Sequence, residues 1–288
     1  MQTFCGRIKH VYEEERIFEI EYRHRVYFFH ITRSQMKKFQ AYLENGLFVF
    51  FKAFDTPKKY GKYVAYDIIT FVKLIRQVGR KTITYYDIQT IKEGVRKLLK
   101  KDTYRMFLDL EFTMPPYNYS SDGEIKFYSE IIQYGFYLED ENGNLIDSAC
   151  GMIRPTCPLS ISNRTCDFLH VNKEKLLKAP YYSKFYKTLG EYMMLYQPVI
   201  YIWGKNDYLM IEKSYVLNNV KPLTTRKNFV NLMQIMKNYY SLKDDIGLYA
   251  AFELLGKEPP MAIQDHDALH DSMATLELFH LFEKEINQ

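Results

Sequence analysis

The 288-residue sequence predicts a small all-β barrel followed by a mixed α/β domain, and three observations carry that reading. Short aromatic and β-branched runs crowd the first 75 residues, strand and helix patterns alternate from Tyr104 onward, and charge divides between the two parts. Residues 1 to 105 hold 22 of the 39 Lys and Arg but only 11 of the 35 Asp and Glu. The first part therefore attracts polyanions, and the second concentrates carboxylates.

In the first part, "CGRIKHVY", "RIFEIEY" and "RVYFFHIT" predict three strands, and "SQMKKFQAYLEN" predicts a short helix opened by Ser34 and closed before Gly46. "GLFVFFKAF" and "GKYVAYDIITFVKLI" return to strand, so five strands with an inserted helix make a barrel over residues 1–76. After the basic stretch "RQVGRK", Ile88, Ile91, Val95, Leu98 and Leu99 recur at helical spacing, with Thr84 as the expected N-cap. Residues 77–103 thus read as a linker carrying a connecting helix, and 104–288 as the second domain. There "YRMFLDLEFT" predicts a strand, "KFYSEIIQYGFYLED" a second, and "LIDSACGMIRP" a third beyond the "ENGN" turn. Helix follows around 183 to 196, then the buried strand "PVIYIWG", the helix "KNDYLMIEKSYVL" and a long amphipathic C-terminal helix.

Composition sets the class. An apolar share of 47% with 26% charged residues describes a globular chain, not a disordered one. No apolar stretch reaches the roughly 18 residues of a membrane span, and "MQTFCGRIKH" lacks an apolar signal core. Cys5, Cys150, Cys157 and Cys166 are too sparse for a disulfide framework, so a reducing, cytoplasmic setting is expected. Cys157, Cys166 and His170 match no zinc-knuckle spacing and read as ordinary thiols and a histidine.

The run "MFLDLEFTM" carries the chemistry. Asp109 and Glu111 interrupt an apolar strand, where a carboxylate is costly unless a cation or a hydrogen-bond network compensates it. Their spacing of two points both to one face. Asp207 stands near a helix start after the Gly204-Lys205-Asn206 turn, and Asp271 opens the C-terminal helix five residues after His266. Four acids brought together would raise one another's pKa, and hard divalent ions such as Mg²⁺ or Mn²⁺ relieve that repulsion. Two ions roughly 3.5 to 4 Å apart suit an in-line phosphoryl displacement, so phosphodiester hydrolysis fits this donor set.

"FLDLEFTM", "WGKNDYLM" and "HDALHDSMAT" resemble the three motifs of the DEDDh branch of the DnaQ-like 3′-to-5′ exonucleases, in the right order and with the right internal spacing. The nearest pattern is that of the KapD and histone-mRNA-exonuclease subgroup, which "GMIRPTCPLSISNRTCDFLHV" also resembles. Over residues 104 to 285 the resemblance implies an RNase H-like exonuclease fold and two Mg²⁺ or Mn²⁺ ions held by Asp109, Glu111, Asp207 and Asp271. In that pattern Asp109 bridges both ions, Glu111 and Asp271 complete the site of the ion that binds the attacking water, and Asp207 supports the second. His266 would be the general base, and the products would be nucleoside 5′-monophosphates. Thr113 and Met114 would contact the terminal nucleotide. Asp265 and Asp267 read as loop and helix-start charges that favour the helix dipole, His270 as a solvated or substrate-facing residue, and Trp203 as core.

The barrel segment resembles cold-shock domains, members of the OB-fold group. "GRIKHVY" is similar to their opening G-x-V-K strand, "RVYFFHIT" to their V-F-V-H strand, and "LENGLFVFF" with "YGKYVAYDI" to their later strands. Arg16 to Ile20 stand where the family has K-G-F-G-F. Because alternate residues point inward, either Tyr27 and Phe29 or Val26, Phe28 and His30 face outward. The cold-shock pattern puts Phe28 and His30 on the binding face, with Lys9, Arg23, Arg25 and Lys62 available to phosphates. Single-stranded nucleic acid, RNA ahead of DNA, is the expected partner. A DNA exonuclease, a short-oligonucleotide scavenger and a catalytically dead binding protein would carry the same motifs.

Overall fold

The computed structural model describes all residues except 101, 123–125, 243, 262–265 and 288. The chain divides into two units, Met1–Lys97 with Lys237–Asp244, and Leu98–Met236 with Asp245–Gln288.

The first unit contains β1 (Gln2–Tyr12), β2 (Ile17–Tyr22), β3 (Arg25–His30), α1 (Arg33–Phe39), β4 (Phe48–Ala53), β5 (Lys58–Tyr60), β6 (Tyr63–Val78), β7 (Lys81–Asp87) and most of α2 (Ile88–Leu99). Strand β1 pairs antiparallel with β2 and with β4, β2 pairs with β3, and β4 with β6. Strand β3 then runs parallel to β6, from Phe28 opposite Ala65 to His30 opposite Asp67. The pairings therefore run β1-β2-β3-β6-β4 and return to β1. Alternation along β1 turns Phe4, Gly6 and Ile8 inward, and alternation along β3 buries Phe29 while Phe28 and His30 take the opposite face. Phe18, Phe29, Phe51 and Phe71 are fully buried, with the Phe29 and Phe51 ring centres 4.6 Å apart. Each such side chain contributes roughly 1.5–3 kcal/mol of transfer free energy.

Two helix starts differ from the sequence expectation. Helix α1 opens at Thr32 rather than Ser34, through a capping box in which the Thr32 hydroxyl accepts from the Gln35 amide and the Gln35 side chain accepts from the Thr32 N–H. Gln35 also reaches the Ile69 carbonyl at 3.0 Å, which ties the helix to β6 and outweighs the propensity of Ser34. Thr84 is not an N-cap but lies within β7, paired with Ile75, and the strand runs on to Asp87. Asp87 accepts from the Gln89 N–H at 3.0 Å and from Lys73 at 2.8 Å, so α2 begins only at Ile88. The β-branched and aromatic run "TITYY" follows the ladder of β6 instead of the helical spacing.

On the outer face of the first unit Asp67 gathers three donors. Lys58 Nζ reaches it at 2.7 Å, His30 Nδ1 at 2.8 Å, and the Tyr60 hydroxyl donates to the same oxygen as His30. Burial alone would push this carboxyl up, but the hydrogen bonds from Lys58, Tyr60 and His30 outweigh it and hold it at about 2.

The second unit is a five-stranded sheet in the order β10 (Leu145–Met152), β9 (Ile131–Glu139), β8 (Arg105–Phe112), β11 (Val199–Ile202), β12 (Phe229–Asn231). Strand β8 is antiparallel to β9 and parallel to β11. The helices of the chain's second part are α3 (Asn163–Phe168), α4 (Lys173–Lys178), α5 (Tyr182–Tyr196), α6 (Asn206–Leu217), α7 (Leu232–Tyr240), α8 (Leu248–Leu254) and α9 (Ala268–Asn287). As the central strand, β8 buries Met106, Phe107, Leu108 and Leu110, which is why it reads as a nearly continuous apolar run. At the start of β8, Arg105 Nε donates to Glu139 Oε2 at 3.3 Å, and His280 Nε2 of α9 meets Glu139 Oε1 at 2.6 Å. Arg105 and Glu139 are both buried.

The Asp67 network contributes stability that is full above the unfolded carboxyl's pKa of 3.8 and fades as pH falls toward 2. That contribution is on the order of 2 kcal/mol. Asp67→Asn should lower stability to urea at pH 7 and flatten the first unit's pH dependence between 4 and 2. Urea titrations across that window check it.

Candidate active site

The site lies at the end of β8 opposite the Arg105–Glu139 pair. Asp109 and Glu111 share one strand face, with Gly135 and Gln133 of β9 directly across from them. Gly135 is the position that lets a third segment in. A Cβ there would run into the backbone of Ala268 and Leu269, so the first turn of α9 rests on β9 where β9 has no side chain. Beside it, Gln133 Nε2 donates to Asp267 Oδ2 at 2.7 Å, while Asp267 Oδ1 accepts from the Leu269 N–H at 3.0 Å and the His270 N–H at 3.3 Å. Asp267 thus caps α9 and fastens it to β9.

This seating carries His266 and Asp271 to Glu111. Donor atoms of Glu111, His266 and Asp271 lie within 4.8 Å of one another, the one such group of three found among the described residues. His266 Nδ1 stands 3.9 Å from Glu111 Oε1. The His266 backbone has φ +54°, a conformation that costs a non-glycine residue free energy and persists where surrounding structure holds it. Asp207 comes from α6, after the Gly204 turn with φ +96°, where the Gly204 N–H donates to Asn231 at 3.2 Å. Asp207 is 4% exposed, and its Oδ1 accepts from the Leu110 N–H at 3.2 Å, which aims it across the strand between Asp109 and Glu111.

Electrostatics follow from the crowding. Burial first, and then the charges of Asp207, Glu111, Asp271 and Asp267, push Asp109 well above the usual carboxylate range. Burial also pushes Asp207 up to about 7, against the pull of its own and Leu110's backbone N–H groups and with the help of Asp271. These carboxylates are unfavourable neighbours as anions. Their oxygen-rich donor set, with one imidazole, suits hard divalent cations, which neutralise them jointly. The donor set therefore fits a hard divalent cation, which Asp109, Glu111, Asp207 and Asp271 could hold.

Thr113 and Met114, the expected nucleotide contacts, lie directly after β8. Thr113 is 3% exposed, and its hydroxyl accepts from the Glu130 N–H at 2.9 Å and from Ser160 at 3.2 Å. The Met114 N–H donates to Thr165 Oγ1 at 2.9 Å, and its carbonyl accepts from Ser162 at 3.1 Å. The Met114 main chain is thereby tied to the start of α3. At the end of α3, Phe168 stacks on the His266 ring, with centroids 4.4 Å apart and planes at 30°. Arg164, one turn earlier, lies over the Tyr117 ring at 5.8 Å. The sequence reading missed Gly135, Gln133, Phe168 and Arg164. A glycine within the apolar run "IIQYGFYLE" signals the first, and Arg164 and Phe168 fall in the family-like stretch "GMIRPTCPLSISNRTCDFLHV", while Gln133 has no local mark.

In the first unit, Phe28 packs with Tyr63 (5.4 Å) and Tyr12 (6.4 Å), and His30 stacks on Tyr60 at 3.9 Å. Lys62 lies over the Tyr63 ring at 5.1 Å. Tyr27 packs against the core beside Phe29. Lys9 pairs with Glu21 at 2.6 Å, and Arg25 is exposed at the start of β3. Trp203 is partly buried, and its indole N–H donates to the Ile246 carbonyl at 3.1 Å. Cys157 is buried, and all four cysteines are free.

No protein-family model matches the chain, and no curated protein matches it. Solved structures do. The nuclease domain of 3′hExo, a DEDDh family member bound to rAMP, superposes with a TM-score of 0.54 at 18% identity, over 63% of this chain and 92% of that one. The second unit shares the fold of that nuclease domain. A full-length 3′-exonuclease gives 0.53 at 16% identity, over 63% of this chain and 61% of the other. Cell-death related nuclease 4 gives 0.50 at 15%, over 64% of each. The likeness to these nucleases lies in the mixed sheet flanked by helices, the RNase H-like arrangement expected from the motifs.

Gly135→Ala should unseat α9 and lower the thermal midpoint by several degrees, with loss of any Mn²⁺-dependent thermal shift. Gly190→Ala is the control, since a Cβ there meets only the two Leu223 methyls, at 3.4 and 3.6 Å. Differential scanning calorimetry with and without Mn²⁺ distinguishes the two.

Proposed function

We propose that the chain is a metal-dependent 3′-to-5′ exonuclease that removes nucleoside 5′-monophosphates from single-stranded RNA. The observation that carries this is the joining of Glu111, Asp271 and His266 within 4.8 Å, beside Asp109 and Asp207, from three distant stretches of sequence. Two divalent ions would be held by Asp109, Glu111, Asp207 and Asp271, and when bound they supply an activated water and neutralise charge at the scissile phosphate. Asp109, central to the acids, would be shared between the ions, and Glu111 and Asp271 would serve the one nearer His266. The His266 imidazole takes the proton of the attacking water. Phe168 covers one face of that ring, and Glu111 Oε1 stands 3.9 Å from its Nδ1.

The first unit would act as an OB-type, cold-shock-like barrel over residues 1–76, with residues 77–103 leading to the exonuclease domain from 104. Its circuit of pairings through β1, β2, β3, β6 and β4, with a helix between β3 and β4, supports this reading. Phe28 and His30 would stack bases while Lys9 and Arg25 meet phosphates. RNA is favoured because both sequence resemblances point to it. Free thiols suit a reducing, cytoplasmic setting.

A time course on 3′-labelled and 5′-labelled RNA and DNA, with Mg²⁺, Mn²⁺ or EDTA, tests polarity, sugar preference and metal need together. Stepwise shortening of 5′-labelled RNA with metal, and none in EDTA, is expected; internal cuts or indifference to EDTA would contradict the reading. His266→Ala should lower turnover by about 10²- to 10⁴-fold while changing oligonucleotide affinity little, because the base acts in the chemical step.

A further inference from the structure

At the far end of β2 and β3 from His30, a concavity of about 680 Å³ opens between β1, the β2–β3 turn and the start of β4. Arg7, Lys9, Arg23 and His24 stand around it, against the single acid Glu21, and Tyr22 and Phe48 supply aromatic surface. Arg7, Lys9, Arg23 and His24 are all exposed. Glu21 is paired with Lys9, which leaves Arg7 and Arg23 as uncompensated charge on this rim. Arg23 lies over the Tyr22 ring at 5.2 Å, a guanidinium seated on an aromatic face. Buried Gly6 lines the concavity, and a Cβ there would press on the Glu21 carbonyl at 3.0 Å.

The turn itself is unusual in composition. Arg23 and His24 are the two central residues of a two-residue hairpin, and both have positive φ, +50° and +61°. That geometry favours Asn-Gly or another glycine-containing pair, because only those residues adopt it without strain. Two large basic side chains occupy the tip at the expense of hairpin stability, and strain retained in this way points to a function for the side chains.

We infer that this groove is a second contact point for single-stranded nucleic acid, gripping the phosphate backbone of a strand whose bases lie on Phe28 and His30. The inference rests on the barrel's proposed role. Arg25 and His30 lie five steps apart along β3, about 17 Å at the rise of a strand. A stacked strand, at roughly 3.4 Å per nucleotide, spans that distance in about five nucleotides, within the ~4–16 that single OB modules engage. Arg7 and Arg23 meet its phosphates, and His24 and Tyr22 flank them.

The test uses the full chain in EDTA and measures fluorescence anisotropy with oligo(U) and oligo(dT) of two to ten nucleotides at several salt concentrations. In the wild type, affinity should step up once the strand exceeds about five nucleotides. Arg23→Asn with His24→Gly installs the relaxed turn, so that double variant should raise the thermal midpoint while removing the step. With Arg7→Gln added, the salt slope should fall by about 1.4 relative to wild type, the value for the two single-strand phosphates met by Arg7 and Arg23. An unchanged step and slope in a variant with a raised midpoint would overturn the groove. If Phe28→Ala still weakens binding in that case, the barrel's role survives without it. A wild type that binds no oligonucleotide of any length removes both.

Discussion

Helix α9 approaches β9 where Gly135 offers no side chain, and this contact is what makes the acidic centre geometrically possible. Asp109 and Glu111 are fixed to β8 by the ladder, and Asp207 is fixed by the Leu110 N–H. Asp271 and His266 depend instead on how closely the first turn of α9 settles. Buried carboxylates drawn together repel one another, so the seating has to be held by something other than the acids. Gln133 and the Asp267 cap do this, with hydrogen bonds made one residue away from His266.

The same logic explains the loop after β8. Thr113 and Met114 spend their polar groups on Ser160, Ser162, Thr165 and Glu130, all outside β8. The outcome is a short helix α3 whose last residue, Phe168, reaches the His266 ring. The imidazole is thereby confined by an aromatic face and a carboxylate, though its own backbone sits in a conformation that L-residues rarely hold.

How much of this was legible in the sequence depended on whether the cause was local. The strand periodicity of "MFLDLEFTM" put Asp109 and Glu111 on one face, and the turn before "NDYLM" put Asp207 at a helix start, as the structure has them. Alternation in "RVYFFH" left two faces open, and pairing with β6 decides between them by sending Phe29 inward. Thr84 misled because "TITYYDIQTIKEGV" satisfies helical spacing, while its pairing partner lies in β6, beyond any local window. Ser34 misled because the Thr32–Gln35 box is stronger than a lone serine. Gln133 and Phe168 act on residues more than ninety positions away, which no local pattern encodes, even though Phe168 lies in a family-like stretch.

Strand β9 and helix α9 are joined twice, at Gln133 with Asp267 and at Glu139 with His280. Six residues of strand at about 3.3 Å each span roughly 20 Å, and thirteen residues of helix at about 1.5 Å each span nearly the same. The two elements are matched gauges laid side by side. An insertion or deletion between either pair of anchors would throw one junction out of step by a full residue, so lineages of this protein should keep both segment lengths fixed even where their side chains drift.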